Sequence, residues 1–391
     1  MPVSVWGLAI AQALLTTGNI LLVAVSALIG KQLASHPALI TVPVAMQFLG
    51  LIVATLPAAH LMHKLGRKVG FILGNSIGLL GTWVALQGLE ASSLMHFAVG
   101  TFLIGMAIGT GQQYRFAALD VCNVEQRPRA ISMVMAGGIL AAILGPNLAI
   151  WSRQWFDGNP FVGAFYGLFM IYVLALLLIS SLRLATAVKT IPGEVSRSYY
   201  ELFQQPLLVA TIASGAIGYA IMVLLMTATP IAMQQDGFPF SNIAWVIQWH
   251  VLGMYVPSFF TGHLIRRFSS RSVILWGCAV LALCVLVNVL GNSYWHYLLS
   301  LMLLGVGWNF TYIGATHLLT FTYRPAEQGK VQGINEFMVF TAAAVGSLLA
   351  GMGVDILGWF WLNIASLPPL IFVAWWIFSL ADERARERVK G

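Results

Sequence analysis

Apolar segments of about 20 residues recur along the whole chain, and each is the length a helix needs to cross about 30 Å of hydrocarbon. Runs such as LFMIYVLALLLISSL at 168–182 lack the dyad alternation that barrel strands carry over about ten residues. The spans are therefore read as helices. Composition points the same way, because 59% of the 391 residues are hydrophobic and 8% are charged, whereas a soluble domain carries about 25% charged residues. So few charges cannot clothe a water-facing surface, and the chain is expected to be an all-α membrane protein.

With Gly, Pro and charge clusters as punctuation, spans fall at roughly 5–29, 38–61, 69–90, 95–121, 130–152, 160–182, 207–232, 241–264, 273–291, 296–322, 331–356 and 360–380. The first run, Trp6 to Ile29, is too long for a signal-peptide core and has no basic residue before it, so it reads as a retained span. Twelve spans put both termini on one side. On that side lie Lys64, Arg67 and Lys68, the cluster Arg266, Arg267 and Arg271, and the tail cations Arg384, Arg386, Arg388 and Lys390, whereas the other side has Lys31 and Arg153. Positive residues stay cytoplasmic, so both termini are expected in the cytoplasm, with the protein in the plasma membrane (the inner membrane of a bacterium). The net charge of +7 then reflects topology and contact with the lipid bilayer, and no nucleic-acid partner is expected. The three cysteines, Cys122, Cys278 and Cys284, have neither a disulfide pattern nor metal-ligand spacing.

A shift of 203 residues lays His60-Leu61 on His263-Leu264, Lys64 on Arg267, Lys68 on Arg271 and Gly50 on Gly253. Such self-similarity marks an internal repeat. Two pseudo-symmetric six-helix bundles are expected, at 1–182 and 207–381, joined by a cytoplasmic linker at 183–206 and followed by a charged tail at 382–391.

The turn between spans two and three reads Ala59-His60-Leu61-Met62-His63-Lys64-Leu65-Gly66-Arg67-Lys68. It resembles the hallmark of the major facilitator superfamily of secondary transporters, Gly-x-Leu-x-Asp-Arg-x-Gly-Arg-Arg, with Ala59 in place of the first Gly and His63 in place of the Asp. The second half repeats the turn as Gly262 to Arg271, again without the acid. The resemblance implies alternating access between two bundles around a midplane site. It also implies a cytoplasmic gate in which Arg67 meets Asp120 at the end of span four, with Gly66, Lys68 and Arg271 beside it. Ala141 to Ala149 in span five, which keeps Gly145 and Pro146, resembles a signature of the family's exporting antiporters.

Charged groups inside a bilayer are functional candidates, since each costs at least about 2.5–3.5 kcal/mol on insertion scales. Arg115 in span four resembles the basic residue of a second family motif, with anion binding as one reading and a salt bridge to Asp120 as the other. Glu336 is the one acid well inside a span and the leading proton carrier, with a closing contact to Arg271 or Lys330 as the competing role. His317 and His250 titrate near neutrality, but lone buried histidines also serve as hydrogen-bonded packing. Gln112, Asn19, Asn309 and Asn335 supply neutral hydrogen-bonding groups for the cavity or for helix contacts. Trp308, Phe310 and Trp249 could flank an organic ligand.

Neither an HExxH motif nor a P-loop occurs, and no convincing nucleophile and base pair is present, so the chain is not read as an enzyme and no cofactor or metal is expected. The function expected is secondary active transport of a small organic solute, anionic or zwitterionic, by a monomer that couples to protons. A drug or metabolite exporter of the proton-antiporter type and a passive facilitator are the alternatives.

Overall fold

The computed structural model describes residues 1–123, 126–156, 158–184 and 197–380. Half of the expected linker and the whole tail at 382–391 lie outside the described residues, as do the side chains of His63, Arg127 and Arg129. A backbone in lipid finds no water to bond, so a spanning segment must close its own hydrogen bonds. Accordingly, the described residues form helices and turns with no strand.

Spans one to three are α1 (Val3–Leu33), α2 (Val42–Leu65) and α3 (Arg67–Glu90). Span four is divided into α4 (Leu94–Gly111) and α5 (Tyr114–Asp120), and α6 (Arg127–Trp151) and α7 (Val162–Ser181) complete the first half. A short helix, α8 (Tyr199–Phe203), precedes α9 (Pro206–Gln235), which is span seven. Span eight is the pair α10 (Phe240–Tyr255) and α11 (Ser258–Phe268), bent by 41°. Spans nine and ten are α12 (Ser270–Leu290) and α13 (Tyr294–Leu319). Spans eleven and twelve come from α14 (Gln328–Ala365) and α15 (Leu367–Ser379), because Gly358, at φ 73° and ψ 167°, divides α14 between them. The described residues thus contain all twelve spans, with breaks at Gln112–Gln113 and Val256–Pro257 that periodicity did not reveal.

Local details repeat between the halves. Gly66, between α2 and α3, lies at φ 90° and ψ 157°, and Ser269, between α11 and α12, lies at φ 93° and ψ 155°. These are the positions that the 203-residue shift superposes. Ser93 precedes α4 with its hydroxyl 2.8 Å from the His96 imidazole, and Ser293 precedes α13 with its hydroxyl 2.7 Å from His296. Gly50 and Gly105 let α2 and α4 meet backbone to backbone, and Gly253 and Gly305 do the same for α10 and α13, since a Cβ at any of them would run into the neighbouring main chain. The same helix contact is therefore built twice.

Span one is interior. In α1, 83% of the most apolar window is buried, against 44% for α12. The halves meet through α1 with α9 and α10, α2 with α14, and α6 with α10.

Candidate functional site

A cavity lies between the halves, centred near the middle of the spans. The first half supplies Asn19 from α1, Gln47 and Phe48 from α2, Gln112 from the break in span four, and Arg115 from α5. Opposite them stand Tyr219 of α9, Tyr255 of α10, Trp308 and Tyr312 of α13, and Glu336 and Phe340 of α14. A narrower recess continues towards Gln12 and Gly138 and shares Asn19, Gln112, Arg115 and Tyr255 with it.

Arg115 and Glu336 meet across this space, with Nη2 to Oε1 at 3.4 Å and side chains 34% and 24% exposed. Each neutralises the other in a setting where a lone charge is costly. The pair joins α5 of one half to α14 of the other, so its making and breaking is tied to the distance between halves. Asp120 is not Arg115's partner here, and neither Arg271 nor Lys330 is Glu336's. Lys330 instead donates to the Arg197 carbonyl and lies 4.2 Å from the Tyr199 ring centroid. Arg271 donates to the Phe378 carbonyl at the end of span twelve.

The cavity's other character is aromatic. Trp308 stacks on Tyr312 with centroids 5.0 Å apart and planes 11° from parallel. Tyr219 makes edge contacts with Phe48, Trp308, Tyr312 and Phe340. Such faces suit a planar π-system, which gains from offset stacking and edge contacts.

On the side that bears the termini, Arg67 Nε donates to Asp120 Oδ2 at 2.9 Å and Nη1 donates to Gln113 Oε1 at 3.2 Å. Both acceptors belong to the first half, so this cluster ties the start of α3 to α5 and does not bridge the halves. Gly66 is buried beneath it and Lys68 is half-buried on the first turn of α3. The far side is closed by contacts that do cross. The Thr41 hydroxyl donates to the Leu348 carbonyl at 3.2 Å, Asn147 Nδ2 donates to Gln248 Oε1 at 2.8 Å, and Arg153 lies over the Phe161 and Phe240 rings at 5.4 and 4.5 Å.

Six residues singled out from the sequence as cavity candidates do not line it: Trp249, which is exposed, Phe310, which is half-buried elsewhere, and four polar residues. His250 is fully buried, with Nδ1 2.8 Å from the Leu301 carbonyl oxygen, which makes it a link between α10 and α13. Asn309 bonds the Met254 carbonyl, Ser258 and Thr261, bracing the break in span eight. His317 is exposed near the end of α13, with Nδ1 2.7 Å from the Ser270 hydroxyl. Asn335 is buried in α14 beside Glu336. Gln47 and the tyrosines were missed. A single amide in an otherwise apolar span was the signal for Gln47, whereas nothing in the sequence distinguishes Tyr219 or Tyr312 from packing aromatics.

A separate polar knot holds the end of the linker to the second half. Glu327 is fully buried and accepts from Arg197 Nε at 2.8 Å and Nη2 at 2.6 Å, and from the Arg324 N–H at 3.0 Å. The hydrogen bonds from Arg197 hold its carboxyl well below the usual carboxylate range.

Comparison with known proteins agrees with this architecture. The chain is 38% identical to the riboflavin transporter RfnT of Brucella anthropi over 369 residues, covering 94% of this chain and 92% of that one. It is 28% identical to the uncharacterized MFS-type transporter YddS of Bacillus subtilis, over 93% and 88% of the two chains. The crystal structure of the nucleoside transporter NupG shares the fold, with a TM-score of 0.74 at 13% identity, covering 97% of this chain and all of that one. The family model of the Major Facilitator Superfamily matches residues 8–246 and 207–391. Twelve spans in two repeated halves around a central cavity are thus the fold of a membrane transporter, and this chain belongs to the Major Facilitator Superfamily.

Proposed function

We propose that this protein is a proton-coupled secondary transporter of riboflavin or a closely related flavin. The observation that carries the reading is a cavity that combines stacked aromatic rings with an Arg115–Glu336 pair spanning the two halves. An isoalloxazine is planar and polar at its edges, so it matches aromatic walls set with amides. The Arg115–Glu336 pair has no net charge, which favours a neutral solute over the anion suggested by Arg115 alone. The likeness to RfnT supports the same substrate class.

In this reading Glu336 is the proton carrier. Protonation frees Arg115, the halves separate on one face, and loss of the proton restores the pair. The bundles at 1–182 and 207–381 move about the linker, with both termini in the cytoplasm of a bacterial cell and the monomer as the working unit. Arg67, Asp120 and Gly66 form the cytoplasmic gate by fixing α5, and with it Arg115.

The test is flux of radiolabelled riboflavin in proteoliposomes containing the full chain. Saturable flux that grows with an imposed pH gradient and collapses with a protonophore is expected. Flux no greater than in empty liposomes would reject the flavin, and riboflavin flux indifferent to the gradient would reject the coupling in favour of passive facilitation.

A further inference from the structure

Three residues that line the cavity carry a buried polar atom without a partner among the described residues: Arg115 at Nε, whose Nη2 already meets Glu336, and the uncharged Gln47 and Trp308. Gln47 is 2% exposed, and its Nε2 donates to Asn19 Oδ1 at 2.5 Å while its Oε1 accepts nothing. Trp308 is 8% exposed, its ring is stacked on Tyr312, and its Nε1–H donates to nothing. Native proteins keep few such groups, and each calls for an explanation. Both residues line the central cavity, one from each half.

We propose that Gln47 and Trp308 determine specificity by reading a planar heteroaromatic ring that carries both an N–H and a carbonyl, the imide edge of a flavin. Gln47 Oε1 accepts the ring N–H, and Trp308 Nε1–H donates to a carbonyl or ring nitrogen. The inference rests on the flavin reading and deepens it. A site that hydrogen-bonds a particular N–H rejects an analogue lacking it, because its own buried group is then left unpaired. With one reader on each half, a correctly bonded ring also holds the two bundles to a common ligand. Asn19 acts as the positioning residue, since its bond to Gln47 orients the amide.

The experiment is titration of the purified full-length protein by quenching of flavin fluorescence, with riboflavin and N3-methylriboflavin as probes. The wild-type protein is expected to prefer riboflavin by about tenfold. Gln47→Leu should bind both probes alike, and Gln47→Glu, which keeps an acceptor oxygen, should retain the preference. Trp308→Phe keeps the stacking face and loses the donor, so affinity for both probes should fall by about tenfold with the preference intact. Equal binding of the two probes by the wild-type protein would overturn the proposal, as would a preference that survives Gln47→Leu. The absence of riboflavin binding by folded wild-type protein would overturn the flavin reading itself, and this inference with it.

Discussion

Arg115 and Glu336 each place a charge where an unpaired one is costly, and their 3.4 Å contact pairs those charges across the two halves. Glu336→Gln is therefore expected to abolish gradient-driven flux while leaving counterflow exchange largely intact, because exchange does not require a net change of protonation. Proteoliposome assays run in both modes separate the outcomes, and equal loss in both would move Glu336 into the solute site. A second residue-scale effect concerns the two equivalent turns. Gly66 adopts its positive φ freely, but Ser269 bears a side chain at nearly the same angles, a region that costs other residues about 1–3 kcal/mol. Gly66→Ala should destabilise by about that amount. Ser269→Gly should stabilise by about 1 kcal/mol, since replacing a capping Ser by Gly costs only a few tenths. Melting temperatures of the purified variants should shift in opposite directions, and a fall in both would show that the Ser269 hydroxyl matters more than its backbone.

At the scale of elements, the informative one is α5, seven residues cut from span four by the break at Gln112–Gln113. Its position depends on Arg67 reaching Asp120 and Gln113. Asp120→Asn should loosen it, and Cys122, half-buried two residues further on, is a native reporter because Cys278 and Cys284 are buried. Faster maleimide labelling of Cys122 in that variant is expected, and an unchanged rate would count against the brace. The linker end offers a stability test with a defined pH dependence. Glu327's carboxyl is depressed by Arg197, so its contribution is fully present above the ordinary carboxylate pKa of about 4.3 and is lost as pH falls through the lower folded value. Glu327→Gln, which removes the buried anion that Arg197 grips at 2.6 Å, should cost about 3 kcal/mol at neutral pH. Denaturation curves of the two proteins should converge only in strong acid, and a gap that persisted there would assign the effect to packing.

For the whole molecule, the inter-half contacts through Thr41, Asn147 and Arg153 close the face remote from the termini. Joining Asn147→Cys and Gln248→Cys with a short, cleavable bismaleimide, in a chain whose native cysteines are replaced, should stop flux, and cleaving the linker should restore it. Continued flux in the joined protein would show that the far face need not open. Much of this architecture was legible in the sequence. Span lengths, even spacing and charge bias led to twelve helices, and the repeat predicted equivalent turns that the structure builds at Gly66 and Ser269. The Arg67–Asp120 contact followed from the resemblance to a family. Which residues face the cavity was not legible, and the reason lies in the spans themselves. Each residue turns a helix by about 100°, and a helix apolar on all faces has no stripe to mark its inward side. His250, Asn309 and Asn335 looked as promising as Asn19 and Gln112, yet rotation and breaks directed the first two into helix contacts and brought the last two to the cavity. Hydropathy thus determined that the chain crosses the bilayer as helices, and the even number of spans determined which ends lie together. Packing of the two halves alone decided that Arg115 meets Glu336, 221 residues away, and that Gln47 and Trp308 face one space, because both pairings depend on helix rotation.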